Sequence, residues 1–444
     1  MVDKSMLGYN LTIIKRYKEW KVKIVIQLAY GDKYLTIELP ENHVAAIIKP
    51  HHHAAVGGGS ELVAKALATP VNSPSLSSII ENKQARNAVI VVNDITRPTP
   101  YELILPPLLA EIEQAGISSD NITLVIATGI HRPHSEQDNI AIFGADICQQ
   151  YRIENHDPDS NLQSLGKLSN GMDLVINKTV AEADLLITTG VVTLHYFAGY
   201  SGGRKSILPG IASRPTIEAN HKMMNDPRSR LGNYEDNPVS DLMIEAAGKV
   251  GVDFIVNVVL HSHHEITCCV AGDLEQAWLE AVKYCEQMNV VEIDAAADIV
   301  IASCGGYPKD INMYQAQKAM DAAVLAVKPG GTIILLAECR EGLGEDTFAD
   351  WIDQASCPAD IVQRFHHKFE LGGHKAFAIC RIIESAEIYL LSELSDQQVQ
   401  DLFLTPIHSV QEGLAQALQK HGDDASIIIM PEAPKMGVKI KKRE

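Results

Sequence analysis

The chain has 444 residues, of which 46% are hydrophobic and 21% are charged, a balance that is typical of globular domains and excludes extensive disorder. Its 38 Lys and Arg against 56 Asp and Glu give a formal net charge of −18 at pH 7. Such a chain is a poor partner for nucleic acid or anionic membranes, because attraction to phosphate needs clustered cations. At about 100–200 residues per domain, the length predicts two or three domains.

The N-terminus and the cysteines favour a cytoplasmic protein. Met1 to Lys23 mixes charges with short apolar stretches, unlike a secretory signal, and no apolar run reaches the roughly 20 residues that cross a bilayer. The eight cysteines form no CxxC pair, which disfavours a zinc knuckle or a thioredoxin-like site. Scattered cysteines in a chain of this length are typical of reduced thiols in the cytosol.

The first predicted element is a β-hairpin between Lys21 and Pro40, where two stretches of alternating apolar residues flank a Gly-Asp-Lys turn. Three adjacent histidines, His51 to His53, follow it. Neighbouring residues do not converge on one metal ion without a special turn, so we interpret the three histidines as a solvated or locally packed loop.

Six short, almost continuously apolar runs then predict buried strands of parallel sheets. They are Asn87–Asp94, Asn121–Gly129, Ala183–Gly190, Val252–Leu260, Ala297–Cys304 and Gly331–Glu338. Helical stretches such as Pro100–Gly116 and Tyr314–Gly331 alternate with them. This alternation predicts the α/β fold class with mostly parallel sheets.

A domain boundary is predicted near Asp273–Asp294, where the helix Gln276–Met288 leads into a second α/β unit. We therefore expect an N-terminal domain at residues 1–275 and a C-terminal domain at residues 290–415. The end of the chain, residues 424–444, is expected to supply a strand that returns to one of the two sheets, and the sheet of the N-terminal domain is one candidate.

Polar side chains follow the ends of several predicted strands, and ligands of doubly wound sheets bind beyond those ends. They are Asp94 and Arg97 after the first run, His131 to His134 after the second, Leu194–Lys205 after the third, and Cys304–Asp310 followed by Tyr314, Gln315 and Lys318 after the fifth. We expect these residues to supply one active site.

Each candidate also has a purely structural interpretation. Arg97 could pair with Asp94 to cap a helix, His131 could be a buried core histidine, and His221 could lie on a helix surface. The stretch Gly199–Ser206 resembles a phosphate-binding loop, although the strict P-loop pattern requires glycine where Arg204 stands.

That loop could still wrap a phosphate or a nucleotide through its backbone N–H groups and Arg204. Lys205 could be a simple cation or a point of covalent attachment.

Taken together, the candidates favour catalysis. Arg97, Tyr314 and Lys318 could hold a carboxylate and a hydroxyl group. His131 and His195 could stand on opposite faces of a small substrate, as stereochemical inversion requires. The hydroxyl-bearing carbon of a hydroxy acid is a very weak acid, so direct removal of its proton would be difficult. Removal of a hydride by an electrophilic cofactor is the easier route. The residues alone thus predict a small-molecule enzyme that uses a cofactor.

Four segments resemble the nickel-pincer-nucleotide-dependent lactate racemases and their relatives among 2-hydroxyacid racemases and epimerases. They are NDITRPTP, ATGIHRPHS, LHYFAGYSGGRKSILPGIAS with a downstream NH, and MYQAQKAMDAA. The resemblance implies two α/β domains with an active-site cleft between them. It also implies a 2-hydroxy acid substrate and cofactor-biosynthesis enzymes as partners.

The resemblance further implies a nickel pincer nucleotide, pyridinium-3-thioamide-5-thiocarboxylic acid mononucleotide, attached covalently to Lys205. Gly202, Gly203 and Arg204 would contact this cofactor. Ni²⁺ would be held by a ring carbon, two sulfurs and His221, a donor set that is compatible with Ni(II).

The catalytic pair of the family matches His131 and His195. The substrate contacts match Asp94, Arg97, Tyr314, Gln315 and Lys318. One histidine would take the hydroxyl proton while a hydride moves to the pyridinium ring. The flat 2-keto acid would then reorient, or take the hydride back on its other face, and the second histidine would return a proton.

The chain departs from the family pattern at two places. Residues 1–21 form an extension, and His374 and Lys375 stand where lactate-specific members place a bulky aromatic residue. If that segment approaches the substrate, we expect a molecule more polar than lactate, with a second carboxylate or several hydroxyl groups. His156 and Asp157 are expected to have structural or outer-shell roles.

Two other functions stay open. One is an NAD-dependent 2-hydroxyacid dehydrogenase, which the lack of a clean GxGxxG after a strand disfavours. The other is a non-catalytic nickel- or nucleotide-binding protein.

Overall fold

The structure, a computed structural model, describes residues 22–50, 58–261 and 264–441. The predictions about His51–His53 and about the extension at residues 1–21 lie outside these ranges. The strands of the described residues are β1 Lys23–Tyr30, β2 Lys33–Pro40, β3 Val44–Ile47, β4 Ala88–Asn93, β5 Ile122–Ala127, β6 Arg152–Asn155, β7 Leu162–Lys167, β8 Asp173–Asn177, β9 Leu185–Val191, β10 Leu194–His195, β11 Gly199–Tyr200, β12 Phe254–Leu260, β13 Ile266–Gly272, β14 Val290–Ile293, β15 Ala297–Ser303, β16 Val327–Leu336, β17 Ala386–Leu391, β18 Thr405–Ile407, β19 Ile427–Met430 and β20 Gly437–Ile440.

The same residues form α-helices between these strands. They are α1 Gly59–Ala68, α2 Leu76–Lys83, α3 Tyr101–Gln114, α4 Glu136–Phe143, α5 Ala145–Gln150, α6 Lys178–Ala181, α7 Arg214–Lys222, α8 Pro238–Val250, α9 Gln276–Asn289, α10 Met313–Ala323, α11 Asp346–Asp353, α12 Pro358–His367, α13 Gly373–Ile383, α14 Asp396–Asp401 and α15 Val410–His421. Within the described ranges, no helix combines the length and the apolar character that are needed to cross a bilayer.

The chain divides into two compact units. The first unit is His51–Met288, and the second is Met1–Pro50 together with Asn289–Glu444. The division after Met288 falls inside the predicted boundary region. All six predicted apolar runs form strands of the two large sheets, and the predicted hairpin forms with Lys23 opposite Pro40 and Tyr30 opposite Lys33. The mixed α/β class with mostly parallel sheets is therefore confirmed.

The first unit is built on a six-stranded sheet in the order β13-β12-β9-β4-β5-β6. Its neighbouring strands are parallel except for β13, which pairs with β12 in antiparallel fashion. Helix α3 packs on one face beside Ile90 of β4, and Trp278 of α9 packs on the other face beside Ile255 of β12. A sheet covered on both faces explains why its strands are nearly continuous apolar runs.

In this sheet β4 lies between β9 and β5. Because the three strands are parallel, the loops that follow them emerge at the same edge of the sheet. After β4 the chain adds β5 and β6 on one side of β4, and later adds β9 and β12 on the other side. This edge is the position at which doubly wound sheets bind ligands. The sheet order therefore brings the segments after Asn93, Ala127 and Val191 together.

The second unit has a parallel six-stranded sheet in the order β18-β17-β16-β15-β19-β3. The hairpin of β1 and β2 packs against it through buried residues such as Leu28 and Leu39, which share a cluster with Ile299 and Ile301 of β15. Helix α10 follows β15 and carries Tyr314, Gln315 and Lys318.

The structure departs from the predicted domain assignment at both ends of the chain. Residues 22–50 were expected in the N-terminal domain but belong to the second unit, because β3 pairs with β19. The sheet of the N-terminal domain was also a candidate for the C-terminal strand, yet β19 pairs with β15 and β20 pairs with β14. An apolar pattern identifies a strand, but it does not identify the sheet in which that strand finds its partners.

Candidate active site

Asp94, which is buried, and His131, which is exposed, form a carboxylate–imidazole pair at the edge where β4 and β5 end. Asp94 is buried, and its Oδ2 lies 2.7 Å from Nδ1 of His131, while Thr96 donates to its Oδ1 at 2.7 Å. Burial alone raises the pKa of Asp94, but the hydrogen bonds from His131 and Thr96 outweigh it and lower that pKa below its ordinary value. An ionised Asp94 only accepts hydrogen bonds, so Nδ1 of His131 carries a proton, and in the neutral ring Nε2 presents a lone pair.

Arg97 belongs to the same loop. Its backbone N–H donates to the carbonyl oxygen of Asp94 at 3.0 Å and closes a turn. Its positive charge lowers the pKa of Asp94 and also that of Lys205, so the guanidinium group is close enough to act on both side chains. The side chain of Arg97 is exposed and is therefore accessible to a ligand.

Lys205 and His195 form a second pair. Nζ of Lys205 lies 3.1 Å from Nε2 of His195, and the backbone N–H of Ala198 donates to Nδ1 of His195 at 3.2 Å. Because a backbone N–H cannot accept, Nδ1 holds a lone pair and neutral His195 carries its proton on Nε2. That proton then points at the lone pair of an uncharged Lys205 amine.

The surroundings of Lys205 favour the same state. Burial is the largest influence, and the positive charges of Arg97 and Arg204 act in the same direction, so the pKa of Lys205 falls well below its ordinary value. An uncharged lysine amine is a nucleophile, as covalent attachment of a ligand requires.

Phe197 joins this pair to His221. Its ring lies 4.6 Å from the ring of His195 and 4.9 Å from that of His221, measured between ring centroids. Nζ of Lys205 lies 5.4 Å from the same centroid. Phe197 was missed as a site residue in the sequence, although its place two residues after His195 was a usable signal. Helix α7, capped by Ser213, holds His221 near its C-terminal end.

The glycine-rich loop packs tightly against its own unit. A Cβ on Gly202 would lie 2.6 Å from both Oδ1 of Asn257 and Cγ2 of Val192. The N–H of Gly203 donates to Oδ1 of Asn257 at 2.7 Å. The glycines therefore allow the loop to approach β9 and β12 closely, and this close packing fixes the position of the turn that carries Lys205.

Arg204 is buried beneath the loop. Its guanidinium carbon lies 3.8 Å from the ring centroid of Trp278, and its Nη2 donates to Ser240 Oγ at 3.0 Å and to the carbonyl oxygen of Ala198 at 2.9 Å. The buried Nε and Nη1 of Arg204 have no hydrogen-bond partner among the described residues, so the expected contact with a phosphate or nucleotide stays a prediction. Lys205 is the cation of this loop that meets a catalytic candidate.

Two backbone hydrogen bonds connect the His131 loop to the Lys205 turn. The N–H of Gly129 donates to the carbonyl oxygen of Gly210 at 3.0 Å. The N–H of Gly210 in turn donates to the carbonyl oxygen of Lys205 at 3.1 Å. Within the first unit, the structure therefore brings together the predicted residues Asp94, Arg97, His131, His195, Lys205 and His221.

His156 supports this edge from below, in line with its predicted structural role. It is buried, its Nε2 lies 2.9 Å from the carbonyl oxygen of Ala212, and Thr128 Oγ1 donates to its carbonyl oxygen at 2.8 Å. Burial lowers the pKa of His156, so the ring is neutral in this position. Asp157 accepts hydrogen bonds from Ser160 and from the N–H of Asp159.

The remaining candidates lie on α10 of the second unit. Nζ of the exposed Lys318 donates to Oε1 of Gln315 at 2.6 Å. The ring of Tyr314 packs edge-on against Phe348, with a centroid distance of 6.0 Å. Lys318 and Gln315 thus form a polar pair, while Tyr314 packs against the interior of the same unit.

His374 and Lys375 lie in the interior of the second unit. Both are buried, and Nζ of Lys375 donates to Oε1 of Gln317 at 2.6 Å. Burial lowers the pKa of His374 to about 3, and it lowers the pKa of Lys375 against the opposing charge of Asp321. Both lie beside Tyr314, a predicted substrate contact: its ring centroid is 6.4 Å from that of His374 and 5.7 Å from Nζ of Lys375. The expectation that they favour a more polar substrate stays a prediction.

Among the described residues, no group of three or more His, Cys, Asp and Glu side chains is placed to hold a metal ion. A metal at this site would need donors from a bound cofactor in addition to His221.

Known proteins resemble this chain over most of its length. Residues 30–232 match the lactate racemase N-terminal domain, and residues 292–438 match the lactate racemase C-terminal domain. The lactate racemase of Thermoanaerobacterium thermosaccharolyticum is 36% identical over 430 residues, which are 94% of this chain and 99% of that protein. The lactate racemase of Lactiplantibacillus plantarum is 33% identical over 432 residues, 94% of this chain and 100% of that protein.

Solved structures agree with these matches. The apoprotein of the lactate racemase from T. thermosaccharolyticum superposes with a TM-score of 0.86 at 35% identity, covering 94% of this chain and all of the other. A protein from Thermotoga maritima shares the fold, with a TM-score of 0.60 at 18% identity and coverage of 86% and 98%. Both domain matches and both curated relatives lead to one conclusion: the chain belongs to the lactate racemase family, a family of isomerases.

Proposed function

We propose that the protein is a racemase or epimerase that inverts C2 of a 2-hydroxy acid, with a nickel pincer nucleotide attached to Lys205. The contact between Nζ of Lys205 and Nε2 of His195 carries this proposal. It joins an uncharged amine, suited to covalent attachment, to an imidazole suited to acid–base catalysis. The lactate racemase relatives support a hydroxy acid as the substrate.

The residues fit the proposed cofactor. Lys205 offers an uncharged amine, and His221 offers an imidazole on the other side of Phe197. One imidazole together with soft sulfur donors from a cofactor is a suitable ligand set for Ni(II). When bound, the cofactor would supply an electrophilic ring that accepts a hydride from C2 and returns it.

In this proposal the two histidines move the protons. Nε2 of His131, which holds a lone pair, takes the proton of the substrate hydroxyl, and the ionised Asp94 stabilises the imidazolium that forms. His195 carries a proton on Nε2 and returns it to the carbonyl oxygen when the hydride comes back on the opposite face. In the reverse direction the roles are exchanged.

Other residues hold the substrate and support the loop. We assign the substrate carboxylate to Arg97, because a charge-assisted pair with guanidinium is strong and directional. Tyr314, Gln315 and Lys318 are proposed as further substrate contacts. Gly202, Gly203 and Arg204 are proposed to contact the cofactor. The hydrogen bonds of Arg204 to Ser240 and Ala198 also support the turn that carries Lys205.

The proposal also includes a cytoplasmic location and cofactor-biosynthesis enzymes as partners. All eight cysteines are free thiols, which supports a reducing compartment. Enzymes that build the cofactor would have to meet the chain there.

The test is co-expression with cofactor-making enzymes, followed by intact-mass analysis, nickel determination and a chirality-resolved screen of 2-hydroxy acids. We expect added mass on Lys205, bound nickel and inversion at C2, all lost in Lys205→Ala. An unmodified Lys205 without nickel would refute the cofactor. Oxidation of a hydroxy acid only when NAD is added would identify a dehydrogenase instead.

A further inference from the structure

His134 lies in the loop after β5, three residues beyond His131, and the proposed reaction gives it no role. It is buried. The backbone N–H of Ile95 donates to its Nε2 at 2.8 Å. Because a backbone N–H can only donate, Nε2 holds a lone pair and the proton is on Nδ1, which donates to Oδ1 of Asn139 at 3.1 Å. Both ring nitrogens are thus in use, each in one defined role.

The backbone of His134 is held equally firmly. Its N–H donates to Oδ1 of Asn155 at 2.8 Å, and its carbonyl oxygen accepts from Nδ2 of Asn155 at 3.0 Å. Asn155 is the last residue of β6, and the ring of Phe143 packs beside the imidazole at 6.5 Å between centroids. His134 is therefore anchored to the sheet on one side and to Ile95 on the other.

Two side-chain links join the loops after β4 and β5. Asp94 binds His131, and the next residue, Ile95, binds His134. The side chain of His131 is 42% exposed, as a residue that meets substrate must be, whereas His134 is only 6% exposed. A hydrogen bond shielded from water keeps its geometry better than an exposed one. The bond between Ile95 and His134 can therefore keep Asp94 aligned with His131.

We propose that His134 is a positioning residue that holds the β4 loop against the β5 loop, so that Asp94 meets Nδ1 of His131 and keeps its Nε2 free to accept a proton. The inference rests on the proposed function only in giving His131 the part of a base. The contact itself is a property of the cofactor-free chain.

Three variants test this role. His134→Phe keeps a ring beside Phe143 but removes both nitrogens. His134→Gln can place Oε1 where Nε2 stood and accept from Ile95. His134→Asn is shorter, so its amide can reach Asn139 but not Ile95. Asn and Gln are thus a matched pair that differ in the link to the β4 loop.

The first measurement is the ¹⁵N shift of the His131 ring in cofactor-free protein, which reports where the ring proton lies. We expect the Nδ1–H form in wild type and in His134→Gln, and a mixture of tautomers in His134→Phe and His134→Asn. The second is kcat of cofactor-loaded protein, which should fall about 10–100-fold in the Phe and Asn variants and recover in the Gln variant, since a misplaced base is costly.

Identical behaviour of the Asn and Gln variants in both measurements would overturn the proposal, even if all three variants lost thermal stability. An unchanged His131 tautomer in His134→Phe would do the same. If wild type inverted no hydroxy acid, the proposed function would fail, while the ¹⁵N comparison would still decide the role of His134.

Discussion

At the residue scale, the two catalytic candidates hold their protons at different nitrogens. His131 has its proton on Nδ1, facing Asp94, while His195 has its proton on Nε2, because Ala198 donates to its Nδ1. One ring is thus ready to accept a proton at Nε2 and the other is ready to donate one. A racemase needs both functions in each turnover, and here the neighbouring residues supply them in advance.

Lys205 imposes a cost in stability on the cofactor-free chain. Its pKa is lowered in the folded state, chiefly by burial, so the unfolded chain binds a proton more readily between the lowered value and the ordinary one. This unfavourable contribution of Lys205 to the free energy of unfolding is absent above the ordinary lysine pKa, where the amine is uncharged in both states. It grows as pH falls through that value, until the folded amine is itself protonated.

We therefore predict that Lys205→Met stabilises the cofactor-free protein, and does so more at pH 7 than at pH 10. Each 1 kcal/mol gained should raise Tm by roughly 2–4 °C, as calorimetry can measure. The control is Lys178→Met, which removes an exposed ion pair with Glu182 and should change stability by at most about 1 kcal/mol at either pH. A gain that is equal at both pH values would contradict an uncharged Lys205.

At the element scale, the turn that carries Lys205 depends on a glycine. Gly202 has φ +77° and ψ −179°, a conformation that is essentially restricted to glycine, and a Cβ there would meet Asn257 and Val192. The turn that follows, Gly203–Ser206, places Nζ of Lys205 next to His195. Backbone conformation and close packing together determine the position of the amine.

Gly202→Ala should lower the stability of the first unit by about 2–6 kcal/mol, because backbone strain and overpacking add. The matched control is Gly171→Ala, where φ is +84° but a Cβ would meet nothing within 4 Å, so only the strain of about 1–3 kcal/mol is expected. Calorimetry measures both, and intact mass after cofactor loading should show less modification of Lys205 in Gly202→Ala. Equal losses in the two variants would show that the close contacts are unimportant.

At the scale of the whole molecule, the two units differ in how the chain builds them. The first unit is one continuous stretch, whereas the second combines residues from both ends of the chain. Strand β19 joins these ends, since Ile429 pairs with Ile301 of β15 on one side and with Ile47 of β3 on the other. The second unit therefore requires both ends of the chain for its sheet.

Ile429→Ala should destabilise the second unit by about 2–5 kcal/mol, because Ile429 is fully buried. Hydrogen exchange followed by mass spectrometry should then show faster exchange in residues 22–50 and 289–441, with residues 58–261 unchanged. Ile440→Ala, at a position that is 51% exposed, should have little effect. Equal acceleration in both units would mean that they unfold together.

The sequence by itself determined the local elements and the chemistry of the site residues. Apolar runs and periodicity depend on neighbours in the chain, so the hairpin and the six strands were predictable. The helix predicted at Tyr314–Gly331 was wrong at its end, because the helix stops at Ala323 and β16 begins at Val327. The motifs around Asp94, His131, His195 and Lys205 carried the family resemblance, because a site needs particular side chains at the ends of particular strands.

Only the tertiary structure decided which elements and side chains meet. The partners of β3 and β19 depend on pairing across hundreds of residues, which no local pattern encodes. Arg204 is buried against Trp278, and Lys375 is buried beside Tyr314, two contacts that no local pattern predicts. The uncharged amine of Lys205 likewise depends on burial and on charges brought near it by folding, because desolvation and Coulomb interactions act through space.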